Sequence, residues 1–67
     1  MLAYSFRIPD KLINKIDKYI MRGIFMNRSE FIRTAIKRLV KIIDEMIQSN
    51  YDVRVIRMYV KSVLQGE

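Results

Sequence analysis

The stretch Met1-Leu2-Ala3-Tyr4-Ser5-Phe6-Arg7-Ile8-Pro9 decides the fold of this chain. Large apolar side chains alternate in it with Ala3, Ser5 and Arg7, and a repeat of two is typical of a strand with one buried and one solvated face. Pro9 ends the pattern, because proline lacks the N–H group that a sheet ladder requires. The sequence therefore predicts a strand over residues 2–8.

The rest of the sequence is helical in pattern, so the predicted strand has no partner in its own chain. A strand without a partner leaves its main-chain hydrogen-bonding groups unpaired. The simplest partner is the same strand of a second copy, paired antiparallel about a two-fold axis. The resulting ribbon would display Ala3, Ser5 and Arg7 on one face, and a short ribbon with a basic exposed face fits the major groove of DNA.

Composition also favours a shared core. The chain has 67 residues, of which 51% are hydrophobic, more than one small core can cover. It contains no cysteine and no histidine, which removes disulfides, the commonest metal ligands and the commonest general base. The few carboxylates are scattered, so we expect no enzyme activity, no metal site and no cofactor.

The charge of the chain points to a polyanionic partner. Thirteen Lys and Arg against seven Asp and Glu give a net charge of +6. Nucleic acid is the first candidate and an anionic membrane surface the second, with a basic protein that binds neither as the plain alternative. The sequence shows no membrane span and no secretory signal, so we expect a cytoplasmic protein.

The first helix is predicted to open at Pro9-Asp10, with proline at the first helical position, and to end at Gly23 in a left-handed cap. Its apolar residues recur at spacings of three and four. They are Leu12, Ile13, Ile16, Tyr19 and Ile20. The side that faces solvent is predicted to hold Asn14, Lys15, Asp17 and Lys18. Ile24 is expected to fold back onto Tyr19.

The second helix has the clearest local signal. Asn27 is an N-cap residue and Glu30 follows three positions later, as in a capping box, so the helix is predicted to begin at Arg28. Met26 and Phe31 have the spacing of a hydrophobic staple. The apolar stripe that follows is wide enough for the first helix and a partner subunit together. It comprises Phe31, Ile32, Ala35, Ile36, Leu39, Val40, Ile42, Ile43, Met46 and Ile47.

After a break at residues 49–52, the spacing of the apolar residues predicts a third helix over residues 51–64. We expect Val53, Ile56, Val60 and Val63 to pack on the dimer, around Ile43, Met46 and Ile47. Because the segment is rich in valine and tyrosine, a strand over residues 53–60 is the competing interpretation.

Strand, proline, amphipathic helix, glycine turn and capped second helix, in this order, resemble the ribbon-helix-helix family of MetJ, Arc and CopG. The resemblance covers about residues 2–43, and its most specific part is Asn27-Arg28-Ser29-Glu30-Phe31-Ile32-Arg33-Thr34-Ala35-Ile36. It implies a mainly α, intertwined homodimer with an antiparallel intersubunit ribbon. Residues 1–48 are then the DNA-binding domain, and residues 49–67 are a C-terminal extension.

The resemblance also implies site residues and a function. Ala3, Ser5 and Arg7 become the base-reading residues, and the main-chain N–H groups near Asn27, Arg28 and Ser29 hold a phosphate. Ala3 departs from the polar residues that the family often has there. The implied function is a sequence-specific DNA-binding regulator, with a repressor favoured.

Each of these residues also has a simpler interpretation. Arg7 could be a solvated charge, Ser5 an inert strand residue, and Asn27 a structural cap alone.

Two other functions of the whole protein also remain. The chain could be an antitoxin whose residues 50–67 bind a toxin protein, or a basic amphipathic protein on membrane surfaces.

Overall fold

The computed structural model describes residues 7–66, which form three α-helices: α1 (Asp10–Met21), α2 (Arg28–Gln48) and α3 (Val53–Gln65). The three predicted helices are confirmed, and the strand considered over residues 53–60 is wrong. Residues 2–6 of the predicted ribbon strand lie outside the described residues. Residues 7–9 have no regular secondary structure. Residues 7–66 include no strand that could pair with the predicted ribbon strand.

The start of α1 differs by one residue from the prediction. Pro9 is the N-cap residue, with φ −54° and ψ 140°, and the helix begins at Asp10. The carbonyl of Pro9 accepts hydrogen bonds from the N–H groups of Leu12 (3.0 Å) and Ile13 (3.1 Å). Asp10 thus occupies the first turn, where a negative charge is favourable toward the helix dipole.

The end of α1 is confirmed in detail. Gly23 has φ +80°, a left-handed conformation that is costly for residues with a side chain. Its N–H donates to the carbonyl of Ile20 at 2.9 Å, and the N–H of Ile24 donates to that of Tyr19 at 3.0 Å. This pair of hydrogen bonds is the Schellman motif, which satisfies the last carbonyl groups of the helix.

The end of α2 repeats the same motif with asparagine in place of glycine. Asn50 has φ +62°, and its N–H donates to the carbonyl of Ile47 at 3.0 Å. The N–H of Tyr51 donates to the carbonyl of Met46 at 3.1 Å. Asp52 then caps α3 by accepting the main-chain N–H of Arg54 at 2.8 Å. Two adjacent local signals therefore stop one helix and start the next.

The chain divides into two compact units, the first ending at Thr34 and the second beginning at Ala35. Ile16, 4% exposed, is the one buried hydrophobic residue among residues 7–66 and lies in the first unit. In the same unit, Phe31 contacts Phe25 edge to face, with ring centroids 5.1 Å apart.

The predicted hydrophobic staple between Met26 and Phe31 is wrong. Met26 is 81% exposed, and the ring of Phe25 takes its place in a geometry that aromatic pairs favour.

The second unit has no buried residue between positions 35 and 66. Its half-buried apolar side chains are Ile42, Ile43, Met46, Ile56, Tyr59 and Val60. Val53 and Val63, which we expected on the packed face of α3, are 78% and 57% exposed in the single chain. Ile36 and Val40 on α2 are each 55% exposed.

None of the helices among residues 7–66 is long and apolar enough to cross a bilayer.

Candidate nucleic-acid interface

The first candidate element is the N-terminal segment, which is expected to contact the bases. Ala3 and Ser5 lie outside the described residues, so the structure does not place them. Arg7 is described and exposed to solvent, and it is followed by Ile8, which is half-buried. The residue with the greatest capacity for base recognition is therefore presented at the surface, two positions before the N-cap of α1.

The second candidate element is the start of α2, where the predicted cap is confirmed. The N–H of Glu30 donates to Oδ1 of Asn27 at 2.8 Å, and the N–H of Phe31 donates to the Asn27 carbonyl at 3.3 Å. In return, Oε1 of Glu30 accepts the N–H of Met26 at 3.0 Å. The capping box thus closes on the residue before the cap rather than on the cap residue itself.

This pattern leaves a small donor site. Within the described part of the chain, no acceptor takes the main-chain N–H groups of Arg28 and Ser29, and both residues are exposed. They occupy the first two positions of a long helix, where free N–H groups and the positive end of the dipole favour an anion. Asn27, Arg28 and Ser29, the residues expected to hold a phosphate, make up this helix start.

The guanidinium of Arg28 is directed elsewhere. Its Nε donates to Oδ1 of Asp17 at 2.9 Å, and its Nη2 donates to Oδ2 at 2.8 Å. This hydrogen bonding lowers the pKa of Asp17 below its ordinary value and raises the pKa of Arg28. The side chains are 41% and 56% exposed, so the pair is a surface ion pair that contributes more to geometry than to stability.

The sequence did not predict this pair, since Asp17 was expected on the solvated side of α1 and Arg28 was expected to contact a phosphate through its main-chain N–H group. A signal was present: Asp17 follows Ile13 by four residues and precedes Ile20 by three, so it borders the apolar stripe of α1. The ion pair limits which groups of Arg28 are available at the candidate site. Arg28 offers an anion its main-chain N–H, while its charged group binds Asp17.

The remaining acidic side chains of the described residues do not suggest a metal site. No group of three acidic side chains among residues 7–66 is placed to hold a metal ion. The geometry of this region consists of exposed cations and helix-end donors, which suits binding of an anionic polymer.

Comparison with known proteins identifies the family of this chain. Residues 5–42 match the family described as "Ribbon-helix-helix protein, copG family". The chain belongs to the ribbon-helix-helix family. The match includes Arg7, α1, the Gly23 turn and the capped start of α2, and it ends before α3. The family assignment made from the sequence is thus confirmed.

A curated relative is named as a transcriptional regulator. The protein named Transcriptional regulator CdrS, from Halobacterium salinarum, is 39% identical over 40 residues, which cover 60% of this chain and 73% of that protein. No solved structure matches the chain.

Proposed function

We propose that this protein is a sequence-specific DNA-binding transcriptional repressor that acts as a homodimer and reads the major groove with an intersubunit ribbon. The observation that carries the proposal is the family match over residues 5–42, which includes Ser5, Arg7 and the start of α2. The name of the Halobacterium relative, a transcriptional regulator, favours a role in regulation. A dimer bound to DNA would repress by occupying the duplex that it covers.

The homodimer is supported by the apolar surface of the single chain. Residues 35–66 include no buried side chain, yet α2 exposes Ile36, Leu39, Val40 and Ile47. An exposed apolar stripe of this length on one helix is typical of an interface. In the proposal, residues 1–48 of two chains form the DNA-binding dimer and residues 49–67 extend it.

Base reading is assigned to Ala3, Ser5 and Arg7. The guanidinium of Arg7 can donate two parallel hydrogen bonds to O6 and N7 of guanine, a contact worth about 1–3 kcal/mol of discrimination. The hydroxyl of Ser5 can donate or accept, and the methyl group of Ala3 can contact the methyl group of thymine. Arg7 therefore carries most of the direct readout, and DNA shape contributes the rest of the specificity.

Phosphate binding is assigned to the start of α2. The N–H groups of Arg28 and Ser29 are oriented by the helix, and Asn27 fixes the first turn. Contacts of this kind set the position of a protein on the duplex without carrying sequence information. The proposal thus separates the two elements: the ribbon chooses the sequence, and the helix start sets the register.

The first experiment is selection of bound sequences from random duplex DNA at physiological salt, followed by affinity measurements on the selected site. Arg7→Ala should weaken that affinity by about 1–3 kcal/mol for each lost bidentate contact and relax the selected consensus. Arg7→Lys keeps the charge but loses the planar fork, so it should relax the consensus as well.

Arg57→Ala is the matched control, because Arg57 is exposed on α3, outside the family match. It should select the wild-type consensus. If Arg7→Ala selects the wild-type consensus with unchanged affinity, Arg7 does not read bases and the assignment is wrong.

A further inference from the structure

A row of basic side chains follows one face of α1. Lys15, Lys18 and Arg22 are spaced by three and four residues, which places them in line along the helix, and all three are exposed. They are called the α1 basic stripe below. Helical spacing places the stripe on a different face from the buried Ile16, and it includes no residue of the N-terminal segment or of the start of α2.

The stripe is unfavourable for the isolated helix. Like charges three and four residues apart repel each other, and α1 has two acids, Asp10 and Asp17, neither at a facing position. Asp17 binds Arg28 instead. The helix dipole favours cations near the last turn, which accounts for Lys18 and Arg22 in part, but Lys15 is too far from the helix end to benefit. An external anion would relieve this repulsion.

The length of the stripe selects the kind of anion. From Lys15 to Arg22 the helix rises about 10 Å, at roughly 1.5 Å per residue. Duplex DNA carries a phosphate at every nucleotide of each strand, so a row of this length can face more than one phosphate of the backbone. A single small anion would engage one or two of these cations, whereas a polyanion can engage all three at once.

We propose that the α1 basic stripe binds the phosphate backbone of duplex DNA, as a sequence-independent contact in addition to the ribbon and the start of α2. The inference rests on the proposed function, because that function supplies the polyanion. The stripe raises affinity for all sequences alike and leaves base discrimination to the ribbon.

The test compares the salt dependence of DNA binding between two triple variants with equal loss of charge. Lys15→Gln/Lys18→Gln/Arg22→Gln removes the stripe, and Lys41→Gln/Arg57→Gln/Lys61→Gln removes three exposed cations elsewhere. Glutamine is a good helix former, so both variants should keep the wild-type circular dichroism. Binding is measured on a duplex that contains the selected site and on an unrelated duplex of the same length.

The stripe variant should reduce the slope of log K against log salt by up to about 2.7 per protomer, at roughly 0.9 per lost phosphate contact, on both duplexes. Its selected consensus should remain that of the wild type. The control variant should keep a slope close to the wild-type slope. Lys15→Arg/Lys18→Arg/Arg22→Lys, which preserves the charges, should bind like the wild type.

Equal slopes for the two triple variants would overturn the inference and would leave an acidic protein as the candidate partner. A reduced slope in the charge-preserving variant would also overturn it, because the effect would then be structural. If the wild type shows no preference between the duplexes while the stripe variant still lowers the slope, the proposed function fails and the stripe stands as a DNA contact.

Discussion

The two compact units differ in what holds them together. The first buries Ile16, packs Phe31 against Phe25, and links α1 to the start of α2 through Asp17 and Arg28. The second has well-capped helices but no buried side chain between residues 35 and 66. Local signals can therefore define helices completely without supplying a core. We propose that the second unit depends on surface contributed by a second copy of the chain.

The largest expected effect comes from a charge on the exposed stripe of α2. Val40→Asp should abolish the dimer at micromolar concentration, because an unpaired carboxylate in an apolar interface costs several kcal/mol. Sedimentation measures the loss of the dimer, and the thermal midpoint of the wild type should rise with protein concentration. Lys41→Asp, on the polar side of the same helix, is the control and should remain dimeric. If the Val40→Asp protein is dimeric and has normal stability, the exposed apolar stripe of α2 does not lie in the interface.

The next effect probes the core of the first unit. Ile16→Ala should destabilise the protein by about 2–5 kcal/mol, since the residue is buried and its replacement leaves a cavity. Ile56→Ala, at a half-buried position of α3, should cost less. Chemical denaturation at one fixed protein concentration gives both values. An Ile16→Ala protein as stable as the wild type would show that Ile16 does not supply the core of the first unit.

A smaller effect is expected at the helix cap. Asn27→Ala should cost about 1 kcal/mol, because the N–H of Glu30 loses its acceptor. Asn14→Ala is the matched control on the exposed side of α1, and alanine there should be neutral or slightly stabilising. Denaturation midpoints of the two variants measure the difference. A neutral Asn27→Ala would show that the cap is dispensable for the start of α2.

The smallest effect concerns pH. Because Arg28 lowers the pKa of Asp17 in the folded state, the unfolded chain binds more protons and this contribution to stability rises with pH. It is complete above the unfolded value of about 3.9 and is lost as pH falls through the lower folded value. Asp17→Asn should thus be slightly less stable than the wild type at pH 7, with the gap closing below about pH 4.

Asp44→Asn, at an exposed carboxylate on α2, controls for the change of net charge. Thermal melts across this pH range compare the three proteins. A gap for Asp17→Asn that persists unchanged at pH 2 would show that the ion pair is not its cause.

The features that the sequence predicted well are those encoded by neighbours in the chain. Asn27 and Glu30 locate the start of α2 and Gly23 ends α1, each through hydrogen bonds that span a few residues. Such signals depend on local conformation alone, and they predict helix bounds to within one or two residues.

The features that the sequence did not predict depend on how elements meet. The ion pair between Asp17 and Arg28 joins residues eleven positions apart, and no local pattern selects that distance. The contact of Phe31 with Phe25 rather than Met26 depends on the path of the turn. Of the proposed reading residues, Arg7 is placed at the surface, while Ala3 and Ser5 lie outside the described residues.

The central claim is that this protein recognises a DNA sequence, and the ratio of two affinities tests it most directly. The dissociation constants of the wild type for its selected site and for a scrambled duplex of the same length should be measured at one physiological salt concentration. The account predicts binding to the selected site at least about 10³-fold tighter than to the scrambled duplex, the lower end of specific recognition. Equal affinities for the two duplexes would contradict the account and reduce the protein to a general DNA-binding polycation.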